Sequence, residues 1–156
     1  MKHLEIEMKT LLSEEEYNRL QAQFLEVTPI TQKNYYLDTP DFYLRQHKIA
    51  MRIRTFDTSA ELTIKIPQKV GNMEYNQALT LEEAKYCLEN CKLPQGMILE
   101  ELTSRGLSTS GWVVLGCLTT VRYEKETAIG LMALDQSRYF DIVDYELELE
   151  VENGDQ

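Results

Sequence analysis

Two runs of this sequence carry carboxylates at every second position. Glu5 and Glu7 are followed in the same rhythm by Lys9, with Leu4, Ile6 and Met8 between them. Near the other end, Glu146, Glu148, Glu150 and Glu152 alternate with Tyr145, Leu147, Leu149 and Val151. Successive side chains of a β-strand leave opposite faces, so each run gathers its charges on one side. Carboxylates two residues apart stand about 7 Å from each other, and at an effective dielectric near 20 each such pair costs ~2 kcal/mol before screening. An outward face of this kind is simply solvated. Turned inward, it needs cations, either divalent metal or Lys and Arg side chains. Glutamate oxygens suit a hard ion such as Mg²⁺ or Mn²⁺, which also accepts water and phosphate oxygens.

The chain supplies a matching set of cations. Arg52 and Arg54 alternate with Met51 and Ile53, and Lys65 shares a strand pattern with Leu62, Ile64 and Ile66 beyond a turn at residues 57–59. A hairpin of these two strands puts Arg52, Arg54 and Lys65 on one surface. Arg122 points away from its neighbours Val121 and Tyr123. Guanidinium forks take phosphate oxygens two at a time and lysines act as point charges. A surface with both sets of charges suits a metal–triphosphate complex.

Other elements must hold these strands in place. Ser13 and Glu16 have the form of a capping box, opening a helix with Tyr17, Leu20, Phe24 and Leu25 that Pro29 ends. Residues 30–38 read as a strand, 42–46 as a turn, 67–72 as a loop, and 73–80 as a strand with Glu74 and Asn76 on one side. Thr80 and Glu83 form a second capping box for a helix to about Asn90, and Pro94 starts another that ends at Gly106. Strand character returns at 112–125, 128–137 and 140–152. The sum is an α+β chain of about eight strands and three helices, mostly antiparallel because the connections are short. Residues 1–156 read as a single domain.

Composition narrows the function. The net charge of −10 leaves no overall basic surface for a nucleic-acid backbone. No long apolar run marks a signal peptide or membrane helix, so a cytoplasmic location is expected. Cys87, Cys91 and Cys117 leave an odd thiol in any pairing and lack a second pair for zinc, so they are expected to be reduced and buried. With His3 and His47 the only histidines, no Ser/His/Asp or Cys/His arrangement is available for covalent catalysis.

Taken together, Glu5-x-Glu7-x-Lys9 at the N-terminus, Arg52-x-Arg54, the Leu62-Thr63-Ile64-Lys65 strand, Arg122, Asp135 and the late Glu-x-Glu strand resemble the CYTH superfamily. These are the triphosphate tunnel metalloenzymes, and the resemblance is to their small bacterial YjbK-like branch. It implies an antiparallel eight-stranded β-barrel, open as a tunnel, with a few flanking helices. It also implies Glu5, Glu7 and Lys9 as catalytic residues, and Lys9, Arg52, Arg54, Lys65 and Arg122 as the triphosphate site. Glu5, Glu7, Glu148, Glu150 and Asp135 would hold Mg²⁺ or Mn²⁺, with Glu146 as the alternative in the late strand. The implied activity is metal-dependent hydrolysis of an inorganic or organic triphosphate. A class IV type adenylyl cyclase and a non-catalytic polyphosphate- or nucleotide-binding domain are the alternatives. Relatives of this kind continue past the late acidic strand, so the expectation is a barrel incomplete at the C-terminus whose open edge pairs with a second copy as a homodimer.

Overall fold

The alternation seen in the sequence becomes, in a computed structural model that describes residues 2–151, the inside and outside of a barrel. The strands are β1 (Lys2–Leu12), β2 (Ile30–Asp38), β3 (Ala50–Thr55), β4 (Ala60–Pro67), β5 (Asn72–Leu79), β6 (Val113–Thr127), β7 (Gly130–Tyr139) and β8 (Ile142–Val151). Helices α1 (Glu14–Gln21), α2 (Tyr43–Gln46), α3 (Leu81–Asn90) and α4 (Met97–Ser104) lie between them. The strand order around the closed barrel is β1-β5-β4-β3-β2-β6-β7-β8, with every neighbouring pair antiparallel.

β1 closes the ring by dividing its length. Its first residues pair with β5, from Lys2↔Tyr75 to Glu5↔Asn72, and the rest pair with β8, from Ile6↔Val151 to Leu12↔Tyr145. The expected open edge is therefore absent from the late acidic strand, because β8 has β7 on one side and β1 on the other. An edge without a strand partner among the described residues lies elsewhere. The first part of β6, residues 113–118, pairs with β2 alone, and β7 joins only from Thr119↔Arg138. The Glu152 carboxylate anticipated in the late strand lies outside the described residues.

The apolar core sits outside the barrel wall. Met51 and Ile53 of β3 and Leu62, Ile64 and Ile66 of β4 turn away from the charged interior and pack beneath Ala84 and Cys87 of α3 and Ile98 and Leu102 of α4. A second cluster places Tyr17 of α1 and the following Phe24 against Leu134 of β7. β3, β4 and part of β7 are thus sandwiched between a polar interior and an apolar outer layer, the reverse of the usual small barrel.

Both capping boxes form as expected. Ser13 accepts from the Glu16 N–H while Glu16 accepts from the Ser13 N–H, and Thr80 and Glu83 repeat the pattern. Three local expectations change. The turn at 42–46 is helical over Tyr43–Gln46 because buried Asp38 accepts from the Leu44 and Arg45 N–H groups. The helix expected from Pro94 begins at Met97, since Gln77 donates to the Gln95 carbonyl and ties the approach to β5. The cysteines are not uniformly buried: Cys87 is, Cys91 is half-buried and Cys117 is exposed.

Candidate functional site in the barrel interior

Strand period fixes which side chains enter the barrel. Charged and polar side chains from β1 to β8 line a cavity of about 190 Å³, among them Glu5, Lys9, Arg52, Arg54, Lys65, Glu74, Arg122, Asp135, Glu148 and Glu150. They sort into an acidic group around Lys65 and a basic group of three arginines, Arg52, Arg54 and Arg122.

The acidic group is gathered from three strands. Lys65 of β4 places its Nζ 2.7 Å from Glu5, 3.6 Å from Glu7 and 3.6 Å from Glu74. Lys65 and Glu74 are held opposite each other by the β4–β5 register. At the rim, Lys9 lies 3.5 Å from Glu7 and 4.0 Å from Glu148. Crowding shows in the protonation. Burial and the neighbouring Glu74 carboxyl push Glu5 up, and a proton on Glu5 in turn holds Glu74 down with help from Lys65 and Arg52. Burial, then a hydrogen bond with Glu7, raises Glu148, while the same bond and Lys65 outweigh burial to hold Glu7 down. Each pair shares one proton, as like charges forced together do. Burial lowers Lys65, but its hydrogen bond to Glu5 and the charges of Glu5 and Glu7 together outweigh that and leave it raised.

The basic group is arranged differently. Arg122 donates from Nε and Nη2 to the two oxygens of Asp135, each at 2.7 Å, which fixes the guanidinium plane. Its Nη2 also lies 3.6 Å from Glu148. Arg54 donates to Asn34 at 2.6 Å and faces Glu61 at 3.8 Å. Burial, with Arg52 and Arg122 nearby, lowers its pKa to about 10. Arg52 has a buried Nε without a hydrogen-bond partner. Among the described residues, an acceptor is what the Arg52 Nε lacks.

The donor set fits a divalent ion. Glu5, Glu7 and Glu150 offer ligand atoms all within 4.8 Å of one another, as do His3, Glu5 and Glu74. With the carboxylates ionised, buried Glu7 Oε2 and Glu74 Oε2 have no hydrogen-bond partner. Hard oxygens left in this state match Mg²⁺ or Mn²⁺.

The residues expected from the sequence meet in this one interior: Glu5, Glu7, Lys9, Arg52, Arg54, Lys65, Arg122, Asp135, Glu148 and Glu150. Asp135 commits both oxygens to Arg122, and neither ligand grouping includes it or Glu148. Glu146, the alternative, also lines the cavity. Sequence reasoning missed Glu74 and His3 as site residues. The signal for Glu74 was the short loop at residues 68–71, whose length sets the pairing that puts it across from Lys65. For His3 it was the strand period, which places it on the side of Glu5.

Comparison with known proteins agrees with this geometry. A family model described as CYTH domain matches residues 3–156. The Bacillus subtilis protein named putative triphosphatase YjbK is 37% identical over 149 residues, 94% of this chain and 77% of that protein. The crystal structure of a putative adenylate cyclase from Bacillus halodurans aligns with a TM-score of 0.91 at 36% identity, over 99% of this chain and 83% of that one. A putative adenylyl cyclase from Hippeastrum, described as having a dominant triphosphatase activity, aligns with a TM-score of 0.79 at 22% identity over 98% and 81% of the two chains. At that identity the likeness is one of fold.

Proposed function

The chain belongs to the CYTH domain family, and from that premise we propose that its barrel hydrolyses a triphosphate with the help of a divalent metal. The observation that carries this reading is the pair of unmet needs in one cavity. Among the described residues, buried oxygens of Glu7 and Glu74 that have no donor once the carboxylates are ionised share the interior with the buried Arg52 Nε, which has no acceptor. A metal–triphosphate complex answers both at once.

In this reading Arg52 and Arg54 hold the phosphates and screen the charge that gathers on the leaving group. Lys9 and Lys65 add point charges, and Arg122 is held in one orientation by Asp135. Glu5, Glu7 and Glu150, with Glu148 beside them, would hold one or two ions, Mg²⁺ or Mn²⁺. A bound ion would neutralise phosphate oxygens and lower the pKa of a coordinated water. The chain needs no nucleophile of its own, since water attacks the terminal phosphorus in line with the departing oxygen.

The test is phosphate release from inorganic triphosphate with Mg²⁺ or Mn²⁺, comparing the unaltered chain with Glu5→Gln/Glu7→Gln. Turnover lost in the double variant supports the reading. ATP is included with detection of cyclic AMP, because the cyclase name carried by the 36% identical structure makes that reaction the second reading. Cyclic AMP with pyrophosphate would replace hydrolysis as the activity, and triphosphate binding without turnover would reduce the barrel to a binding domain.

A homodimer belongs to the same proposal, at a different edge from the one expected. Among the described residues, 113–118 of β6 offer an unpartnered strand edge, and residues 106–121 contain no charged side chain in a chain of net charge −10. Two copies meet least repulsion there. Sedimentation that stays monomeric across a hundredfold concentration range would remove the dimer.

A further inference from the structure

His3 brings an imidazole nitrogen to the cluster of carboxylates in the interior. It lies on β1 two residues before Glu5, so the strand period turns it inward with Glu5 and Glu7. The β1–β5 register sets it directly opposite Glu74. Its Nε2 is 3.9 Å from Glu74 Oε1 and 3.7 Å from Glu150 Oε1, with the imidazole side chain 21% exposed. Those separations are too long for hydrogen bonds. They fall between the spacings of ligands that share an ion, about 3 Å for adjacent and about 4.2 Å for opposite atoms each about 2.1 Å from the metal, so small side-chain rotations would bring them to one ion.

A second observation comes from Glu74 itself. Its side chain is only 9% exposed, and once Glu5 gives up the proton the two share, its buried Oε2 has no hydrogen-bond partner among the described residues. Leaving an acceptor in that state costs roughly 1–3 kcal/mol. Lys65, at 3.6 Å, supplies charge but is too distant to donate a hydrogen bond.

We propose that His3, Glu5 and Glu74 form a mixed nitrogen–oxygen metal site that selects Mn²⁺ over Mg²⁺. It stands beside an all-oxygen site at Glu5, Glu7 and Glu150, with Glu5 common to both. The inference rests on the reading of the barrel as metal-dependent and adds which ion one position takes. Mg²⁺ is hard, keeps its waters and prefers oxygen, whereas imidazole suits first-row transition ions. Replacing one carboxylate ligand by His3 therefore tilts this position toward Mn²⁺, while the all-oxygen position accepts either ion.

The test reads binding rather than turnover. Mn²⁺ is added to the intact chain and followed by pulsed electron paramagnetic resonance, in which a directly bound imidazole couples its nitrogen to the ion. Mn²⁺ and Mg²⁺ affinities are measured in parallel by calorimetry for the unaltered chain, His3→Gln and His47→Gln. Expected are nitrogen coupling in the unaltered chain and in His47→Gln, and its loss in His3→Gln. Expected too is a fall of about tenfold in Mn²⁺ affinity for His3→Gln, with Mg²⁺ affinity changed far less. Melting curves establish that His3→Gln is folded, and Glu74→Gln supplies a second route to the same loss. Bound Mn²⁺ without nitrogen coupling, an equal loss for both ions, or no Mn²⁺ binding overturns the site. Nitrogen coupling in a chain that hydrolyses no triphosphate would sink the proposed activity and leave this site standing, and turnover without coupling would do the reverse.

Discussion

At the scale of single residues, the interior is a proton store that a metal must empty. Burial and Glu7 hold the Glu148 carboxyl near about 7, and burial and Glu74 hold Glu5 near about 9, both from an ordinary 4.5. An ion binds the ionised forms, so its affinity rises with pH through these values and binding releases protons. Calorimetry of Mn²⁺ binding in two buffers of different ionisation enthalpy is expected to show greater proton release at pH 6 than at pH 9, where only Glu5 still holds part of its proton. Without metal the same shifts act on stability. Between 4.5 and 7 the folded chain holds a proton on Glu148 that the unfolded chain has lost, so this contribution falls as pH rises across that window. Glu7, held down to about 2, works in the opposite direction: its contribution is full above 4.5 and is lost as pH falls toward 2. Denaturant melts of the metal-free chain are expected to be most stable near pH 5, and a maximum at pH 8 would contradict the shared-proton account. The residue types and their faces were legible in the sequence because strand period is strict. Who shares a proton with whom was not, since that depends on cross-strand register.

At the scale of elements, two turn glycines keep the acidic strands in place. Gly71, at φ +73°, precedes β5, and a Cβ there would meet the Glu5 carbonyl oxygen at 2.3 Å. Gly130, at φ +147°, opens β7, and its Cβ would meet the Glu150 carbonyl oxygen at 2.4 Å. Both clashes fall on backbone, which cannot rotate away as a side chain does. Gly71→Ala combines a left-handed backbone with a push against β1, so a loss of about 2–3 kcal/mol is expected in urea denaturation. The displaced Glu5 should also weaken Mn²⁺ binding by about tenfold, whereas Gly106→Ala, which meets nothing within 4 Å, should leave metal affinity unchanged. Equal metal affinity in both variants would show that β1 absorbs the push elsewhere. Most elements were readable: alternation gave the strands and the two capping boxes gave α1 and α3. The short α2 was not, because it depends on Asp38, a buried acceptor six residues from the N–H of Leu44 it receives. Nor was the closure of the ring legible. β1 pairs with two strands by dividing its length, and no local pattern in residues 2–12 announces that division.

At the scale of the whole molecule, the barrel trades stability for a charged interior. Its hydrophobic layer lies outside the wall, under α3 and α4 and beside α1, so the centre that a small barrel usually fills with apolar side chains holds charges instead. The cost is clearest at Arg54, whose side chain is 13% exposed and whose pKa is lowered to about 10 by burial, Arg52 and Arg122. A depressed pKa on a cation means that its charged form is disfavoured in the fold, by an amount that persists at every pH below about 10. Removing that charge while keeping a polar group for Asn34 should therefore help the empty barrel. Arg54→Gln is expected to raise the stability of the metal-free chain by about 1 kcal/mol, read from urea melts. The same change should reduce triphosphate affinity at least about tenfold, because a phosphate loses its two-pronged partner. Ligand then reverses the ranking: at a hundred times its dissociation constant, a metal–triphosphate complex adds about 2.7 kcal/mol to the unaltered chain, and correspondingly less to the variant. Melts of both proteins with and without Mn²⁺ and a non-hydrolysable triphosphate analogue should cross in order. If Arg54→Gln is less stable than the unaltered chain in both conditions, the arginine serves the fold through Asn34 and Glu61 rather than the ligand.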